Sequence, residues 1–144
     1  MDVALHPERP SARAKIELMA AVIGAARDAA DRAGVKFLVL IEPSAVDLTT
    51  NLTLSYRFLS KFPEYRPERL TQIIEGICAE RGIASVNLFP VFKAASPDRL
   101  YFRDTDDHWN DAGQDVAARE VAKSVIALLA ADRNTRGSTE SPMP

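Results

Sequence analysis

Apolar positions recur along this chain in two rhythms, and their alternation predicts an α/β architecture. Between Ser11 and Ala33 the sequence is alanine-rich. Ile16, Met19, Ala20, Ile23, Ala26 and Ala30 share one face of a 3.6-residue repeat, the pattern of an amphipathic helix. Ser11 follows Pro10 as an N-cap candidate, and Gly34 stands where a helix C-terminal glycine belongs. The run from Val35 to Ile41 (VKFLVLI) then loses the helical period, which fits a strand inside a parallel sheet, covered on both faces; Pro43 and Ser44 end it. The same unit follows again. Pro67 opens a helix that turns Leu70, Ile73, Ile74, Ile77 and Cys78 inward, Gly82 closes it, and IASVNLF supplies a second, shorter strand. Strands joined through a helix run parallel, with a right-handed crossover.

The remaining segments are less regular. Between the two units, AVDLTTNLTLSYRFLSKFPEYR places Leu48, Leu52, Tyr56 and Leu59 at helical spacing, but its threonines weaken a helix. Residues 88–95 predict a short helix or turn. From Asp111 to about Ala131 a final helix turns Val116, Ala117, Val121, Val125, Leu128 and Leu129 inward. The expected organisation is a leader over residues 1–10, one α/β domain over 11–131 and a disordered polar tail over 132–144. Two parallel strands with several helices make a poor independent sheet, because an open edge invites further pairing. Either the segments between the units supply further strands or, as the pattern favours, the chain is the C-terminal part of a larger α/β domain, with Leu40 and Ile74 expected in its core. An open edge also makes self-association an expectation.

Composition narrows the partners. The 144 residues suffice for one core, and a net charge of −2 with a pI near 5.7 argues against a nucleic-acid partner, which needs a basic face. The opening MDVALHPERPSARAK has no apolar signal segment, and no apolar run approaches the ~18 residues of a membrane span. No membrane contact is visible in this chain, which leaves a periplasmic or membrane-anchored longer parent open. The single cysteine, Cys78, permits no internal disulfide and lies in a helical pattern as a buried thiol.

The chemistry concentrates in RDTDDHWNDAG, residues 103–113, which holds one of two histidines and the only tryptophan. Three readings compete there. Asp104 and Asp106 have the first spacings of an EF-hand loop, but His108 and Trp109 occupy positions that need an oxygen ligand and a glycine, so no metal is expected. His6, in the leader, offers no second zinc ligand nearby. Helix capping explains Asn110, Asp111 and in part Asp107, but not a histidine and tryptophan ahead of the cap. A general base with an orienting carboxylate explains the Asp-x-His spacing, since alternate residues of an extended loop point to one side. The loop also follows the last strand, at the end where open α/β sheets carry their sites.

LYFRDTDDHWNDAGQDVAAREVAKSVIALL resembles the last conserved block of SGNH/GDSL hydrolases, especially members with Asp-x-His-Trp followed by Asn and Gly, among them alginate O-acetyltransferase-like proteins. AGVKFLVLIEPS and RPERLTQIIEGICAERGIASVNLFPVF resemble the C-terminal half of that fold, so the resemblance spans about residues 12 to 130. It implies a three-layer α/β/α sandwich around a parallel sheet, with only its C-terminal half present here. It further implies a Ser-His-Asp ester hydrolase or O-acyltransferase acting on acyl or acetyl esters, carbohydrate-linked esters among them, without a cofactor. His108 matches the family's base and Asp106 the orienting acid, with Asp104 as the alternative acid. Trp109, Asn110 and Gly113 match the motif as loop-shaping residues. The departure is the nucleophile: there is no Gly-Asp-Ser turn, and Ser44, at the end of the first strand, is the weak candidate. The chain thus reads as a fragment inactive alone, lacking an N-terminal half or, since in some related acyltransferases the Asp-x-His block precedes the serine, a C-terminal part. The alternative is a non-catalytic remnant or interaction module whose loop is a helix cap.

Overall fold

The computed structural model describes residues 2–50, 61–103 and 106–137, and in it two parallel strands lie between layers of helix. In chain order these are α1 (Asp2–Leu5), α2 (Pro10–Arg32), β1 (Leu38–Ile41), α3 (Ala45–Leu48), α4 (Arg69–Glu80), β2 (Ala84–Asn87), α5 (Leu88–Ala94), a 3-10 turn (Pro97–Arg99) and α6 (Asp111–Gly137). β1 and β2 pair in parallel, with Leu38 opposite Ala84 and Ile41 opposite Asn87.

Both helix–glycine–strand units close in the same way. Gly34 and Gly82 have φ of 66° and 61°, in the left-handed region where a side chain would clash with its own backbone. The next amide reaches back five residues in each case, Val35 N–H to the Ala30 carbonyl at 3.0 Å and Ile83 N–H to that of Cys78 at 2.9 Å. The start of α2 differs from expectation. Pro10 takes the first helical position, where a missing N–H costs nothing, and the Ser11 hydroxyl donates to Asp2 at 3.1 Å instead of capping. Asp2–Leu5, in the stretch read as a leader, forms a helical turn with Leu5 buried. Its carbonyl end is held by the Arg69 guanidinium at 2.6 Å from Ala4 and 2.9 Å from Leu5. α6 runs past Ala131 to Gly137.

Alternation along β1 divides the core in two. Val39 and Phe37 pack against Ala20, Ile23, Ile77, Cys78 and Ile83, between the sheet and helices α2 and α4. Leu38 packs the other way, with Val86, Leu88, Phe92, Leu100, Tyr101 and Ala117. Cys78 is fully buried, and burial pushes its thiol pKa up, away from reactivity.

β1 is not covered on both faces. α6 lies against β2, so Leu40, on the Leu38 side of β1, stays 41% exposed, and Val35 is 56% exposed. Leu40 is therefore not a core residue, and Ile74 is only half-buried. Met19, Leu70, Val125 and Leu129 are likewise exposed where helical periodicity turned them inward. Of the ambiguous segment, Leu48 ends α3, while Leu52, Tyr56 and Leu59 lie outside the described residues. Among the described residues no helix is long and apolar enough to cross a membrane.

Candidate active site

Residues 100–102 and 108–110 run antiparallel to one another. Tyr101 and Trp109 form an antiparallel bridge, Phe102 N–H donates to the His108 carbonyl at 3.0 Å, and Asn110 N–H to that of Leu100 at 2.9 Å. Aromatic packing holds the base of this hairpin. Phe92 meets the Tyr101 ring edge-on at 5.9 Å and the Trp109 ring at 5.7 Å. The buried Tyr101 hydroxyl donates to the Pro43 carbonyl at 3.0 Å, which ties the hairpin to the exit of β1.

Asn110 joins hairpin and helix through every polar atom of its side chain. Its Oδ1 accepts from the amides of Ala112 (2.9 Å) and Gly113 (3.2 Å), satisfying two orphan donors of α6. Its Nδ2 donates to the carbonyls of Arg99 and Tyr101, both at 3.0 Å. Gly113 is required by space. A β-carbon there would lie 2.4 Å from the Leu100 carbonyl oxygen and 2.8 Å from Trp109 Cβ. Asp107 does not cap α6; it lies beside the histidine.

The hairpin's other end carries the charges. Asp106 Oδ1 accepts the backbone N–H of His108 at 3.0 Å and lies 2.8 Å from His108 Nδ1, with Asp107 3.7 Å from the same nitrogen. With Nδ1–H donating to Asp106, the neutral ring carries its free lone pair on Nε2. The contact with Asp106, and then the charges of Asp106 and Asp107, raise the His108 pKa above its ordinary 6.5. The two hydrogen bonds from His108, backbone first, lower that of Asp106. The pair is exposed, with 80% of the His108 side chain accessible, so neither shift is a measure of stability. Asp106, Asp107 and His108 place one ligand atom each within 4.8 Å of one another and could hold a cation, but an Nδ1 that donates to Asp106 cannot also ligate one. Asp104 lies outside the described residues. His6 pairs with Glu8 and Glu64 at 3.4 and 3.5 Å.

A cleft of about 380 Å³ opens beside the pair, at the carboxyl end of β1. His108 and Asp107 form one wall, Glu42 to Ala45 and Asp47 another, and Leu70, Thr71 and Ile74 of α4 the third. Ser44 thus shares the cleft with His108, but no hydrogen bond joins them, and its side chain does not cap α3. Asp47 accepts from the Tyr65 hydroxyl, and burial raises the pKa of both groups. Glu42 and Asp47 were not singled out from the sequence. Their signal was EPSAVD directly after an apolar run, the position where open α/β sheets place ligands.

A family model described as the SGNH hydrolase-like domain of acetyltransferase AlgX matches residues 4–142, and the chain belongs to this family. No curated protein and no solved structure matches it. Membership supports function of the acetyltransferase or hydrolase type in general.

Proposed function

We propose that this chain supplies the acid–base half of an SGNH-type ester hydrolase or O-acyltransferase, with His108 as general base and Asp106 as the carboxylate that orients it. The observation that carries the reading is the 2.8 Å contact between Asp106 and His108 Nδ1 on the wall of a cleft. In this chemistry His108 Nε2 takes the proton of a serine hydroxyl as its oxygen attacks the acyl carbonyl. The imidazolium, stabilised by Asp106, then returns that proton to the departing alkoxide. Water completes hydrolysis, and an acceptor hydroxyl completes transfer. The attacking serine and the oxyanion donors come from sequence outside these 144 residues, since no Gly-Asp-Ser turn is present.

The test is turnover of p-nitrophenyl acetate. The 144-residue chain alone is expected to show negligible activity, and a chain extended upstream to include a Gly-Asp-Ser turn should lose roughly 10³-fold or more with His108→Ala. Unchanged turnover in that variant removes the catalytic role. Robust activity of the short chain, abolished by Ser44→Ala, assigns the nucleophile to Ser44, which shares the cleft with His108. The second reading, a non-catalytic module, draws on the four hydrogen bonds of Asn110, by which the loop caps and anchors α6. It expects His108→Ala to leave function intact in any chain.

A further inference from the structure

α3 belongs to one wall of the His108 cleft, yet neither its length nor a cap accounts for its order. It is a single turn, Ala45–Leu48, and a lone turn is unstable in water because nucleation fixes several dihedrals for one hydrogen bond. The Ser44 side chain does not cap it. Ala45 is buried and Leu48 packs against the core, which holds the turn down without fixing where its ends lie. Both ends are tied from elsewhere. Ahead of the turn, the buried Tyr101 hydroxyl donates to the Pro43 carbonyl at 3.0 Å. Behind it, the Asp98 carboxylate accepts from the Thr49 hydroxyl at 2.5 Å and from the Thr50 amide and hydroxyl at 2.8 and 2.9 Å.

The two ties leave from Asp98 and Tyr101, and this stretch runs straight into the pairing that mounts His108. Tyr101 bridges Trp109, and Phe102 N–H donates to the His108 carbonyl at 3.0 Å. α3 and His108 are thus held by one segment, on different walls of the same cleft. Each tie is chemically steady. Burial, and then the charges of Glu42 and Asp47, push the Tyr101 pKa up, so its hydroxyl stays a neutral donor. The bonds from Thr49 and then Thr50 hold the Asp98 carboxyl below the usual carboxylate range, so near neutral pH it is an ionised acceptor, the stronger kind. We propose that Tyr101 and Asp98 are positioning residues, which brace α3 at both ends and so set the width of the cleft between His108 and the Glu42–Asp47 wall. Their bearing on catalysis rests on the reading of the cleft as an acyl-transfer site, where a displacement of about 1 Å costs up to about 100-fold in rate.

The brace is tested on the 144-residue chain by amide hydrogen exchange and by the His108 titration in NMR. Tyr101→Phe and Asp98→Ala should each speed exchange of the Asp47 and Thr49 amides, which bond to the Ser44 and Ala45 carbonyls, by about ten-fold or more. The Ile83 amide, bonded to Cys78, should change far less. Asp98→Asn keeps an acceptor oxygen and should recover most of the loss. Glu42 serves as a ruler across the cleft, since its charge helps to raise the His108 pKa. Glu42→Gln should lower that pKa in the wild-type chain, and lower it less in Tyr101→Phe. Ile77→Val, in the opposite core, controls for stability alone and should leave both readouts in place. The inference is overturned by α3 amides that quicken no more than Ile83, by a Glu42 effect that is absent or survives Tyr101→Phe undiminished, or by Ile77→Val reproducing the losses. In an upstream-extended chain that turns over p-nitrophenyl acetate, Tyr101→Phe should cut kcat about ten-fold, and Ile77→Val should not. Unchanged kcat in a chain that His108→Ala silences overturns the positioning role. Turnover that survives His108→Ala removes the acyl-transfer reading, whereas exchange and titration still decide the brace, so the two failures are distinct.

Discussion

The antiparallel pairing of residues 100–102 with 108–110 has two ends built on opposite principles. At its base, Leu100 and Tyr101 are buried, Trp109 packs on Phe92, and the Asn110 side chain makes four hydrogen bonds. A few residues away, the His108 side chain is 80% exposed, and its ring pairs with the carboxylates of Asp106 and Asp107. The base spends its side chains on fixing position, and the tip leaves its own free to react. That separation gives the proposed acid–base pair a rigid mount and an accessible nitrogen.

Substitutions along the hairpin should expose the difference. The largest effect is expected at the base from Gly113→Ala. Its new methyl meets a backbone oxygen at 2.4 Å, which no rotamer change relieves, so a loss of about 3 kcal/mol is expected in urea unfolding. Wild-type stability in that variant would mean α6 is free to shift off the hairpin. Asn110→Ala comes next, at about 2 kcal/mol, because it removes a helix cap and two anchors at once. Asn110→Asp separates these parts, since it keeps the acceptor for the α6 amides and loses the two donors; it should recover about half of the loss. At the tip, His108→Ala should change the unfolding midpoint very little while abolishing whatever chemistry the site performs. A large destabilisation there would make His108 structural and erase the comparison.

The smallest effect is electrical. Asp106→Asn removes the main cause of the raised His108 pKa, so the ring's titration, followed by NMR, should fall back toward 6.5. No movement would mean that the pair does not persist in solution. The sign for the intact pair follows from the two directions. With the His108 pKa raised, its contribution is full below the ordinary value and is lost as pH rises through the raised one. With the Asp106 pKa lowered, its contribution is present above the ordinary carboxylate value and is lost as pH falls through the lowered one. The window between them is where the ion pair exists, and its exposure keeps the contribution to stability small.

The structure also separates what local pattern can encode from what it cannot. Gly34 and Gly82 mark helix ends because only a residue without Cβ takes φ near +60° cheaply, a constraint visible in any sequence. Asn110 before an Asp-Ala-Gly start signalled a cap for the same local reason. Leu40 was misread as core because its fate depends on whether α6 covers β1 or β2, and no local periodicity carries that information. Met19, Val125 and Leu129 were misread for a related reason: an amphipathic stripe names a face but not its width, and here the neighbouring layers cover only part of it.

By itself the sequence determined the alternation of helix and strand, the glycine stops, the buried cysteine and the Asp106-x-His108 spacing that lets one loop present a carboxylate and an imidazole together. These rest on interactions within a few residues, where chirality and hydrogen-bond reach leave little choice. Tertiary structure decided the rest. It placed Tyr101 under Pro43, set Glu42, Ser44 and Asp47 across a cleft from His108, and left one flank of β1 uncovered. Those outcomes depend on how separate elements pack, with contacts between residues some 60 positions apart, and no local pattern in the chain specifies such pairings.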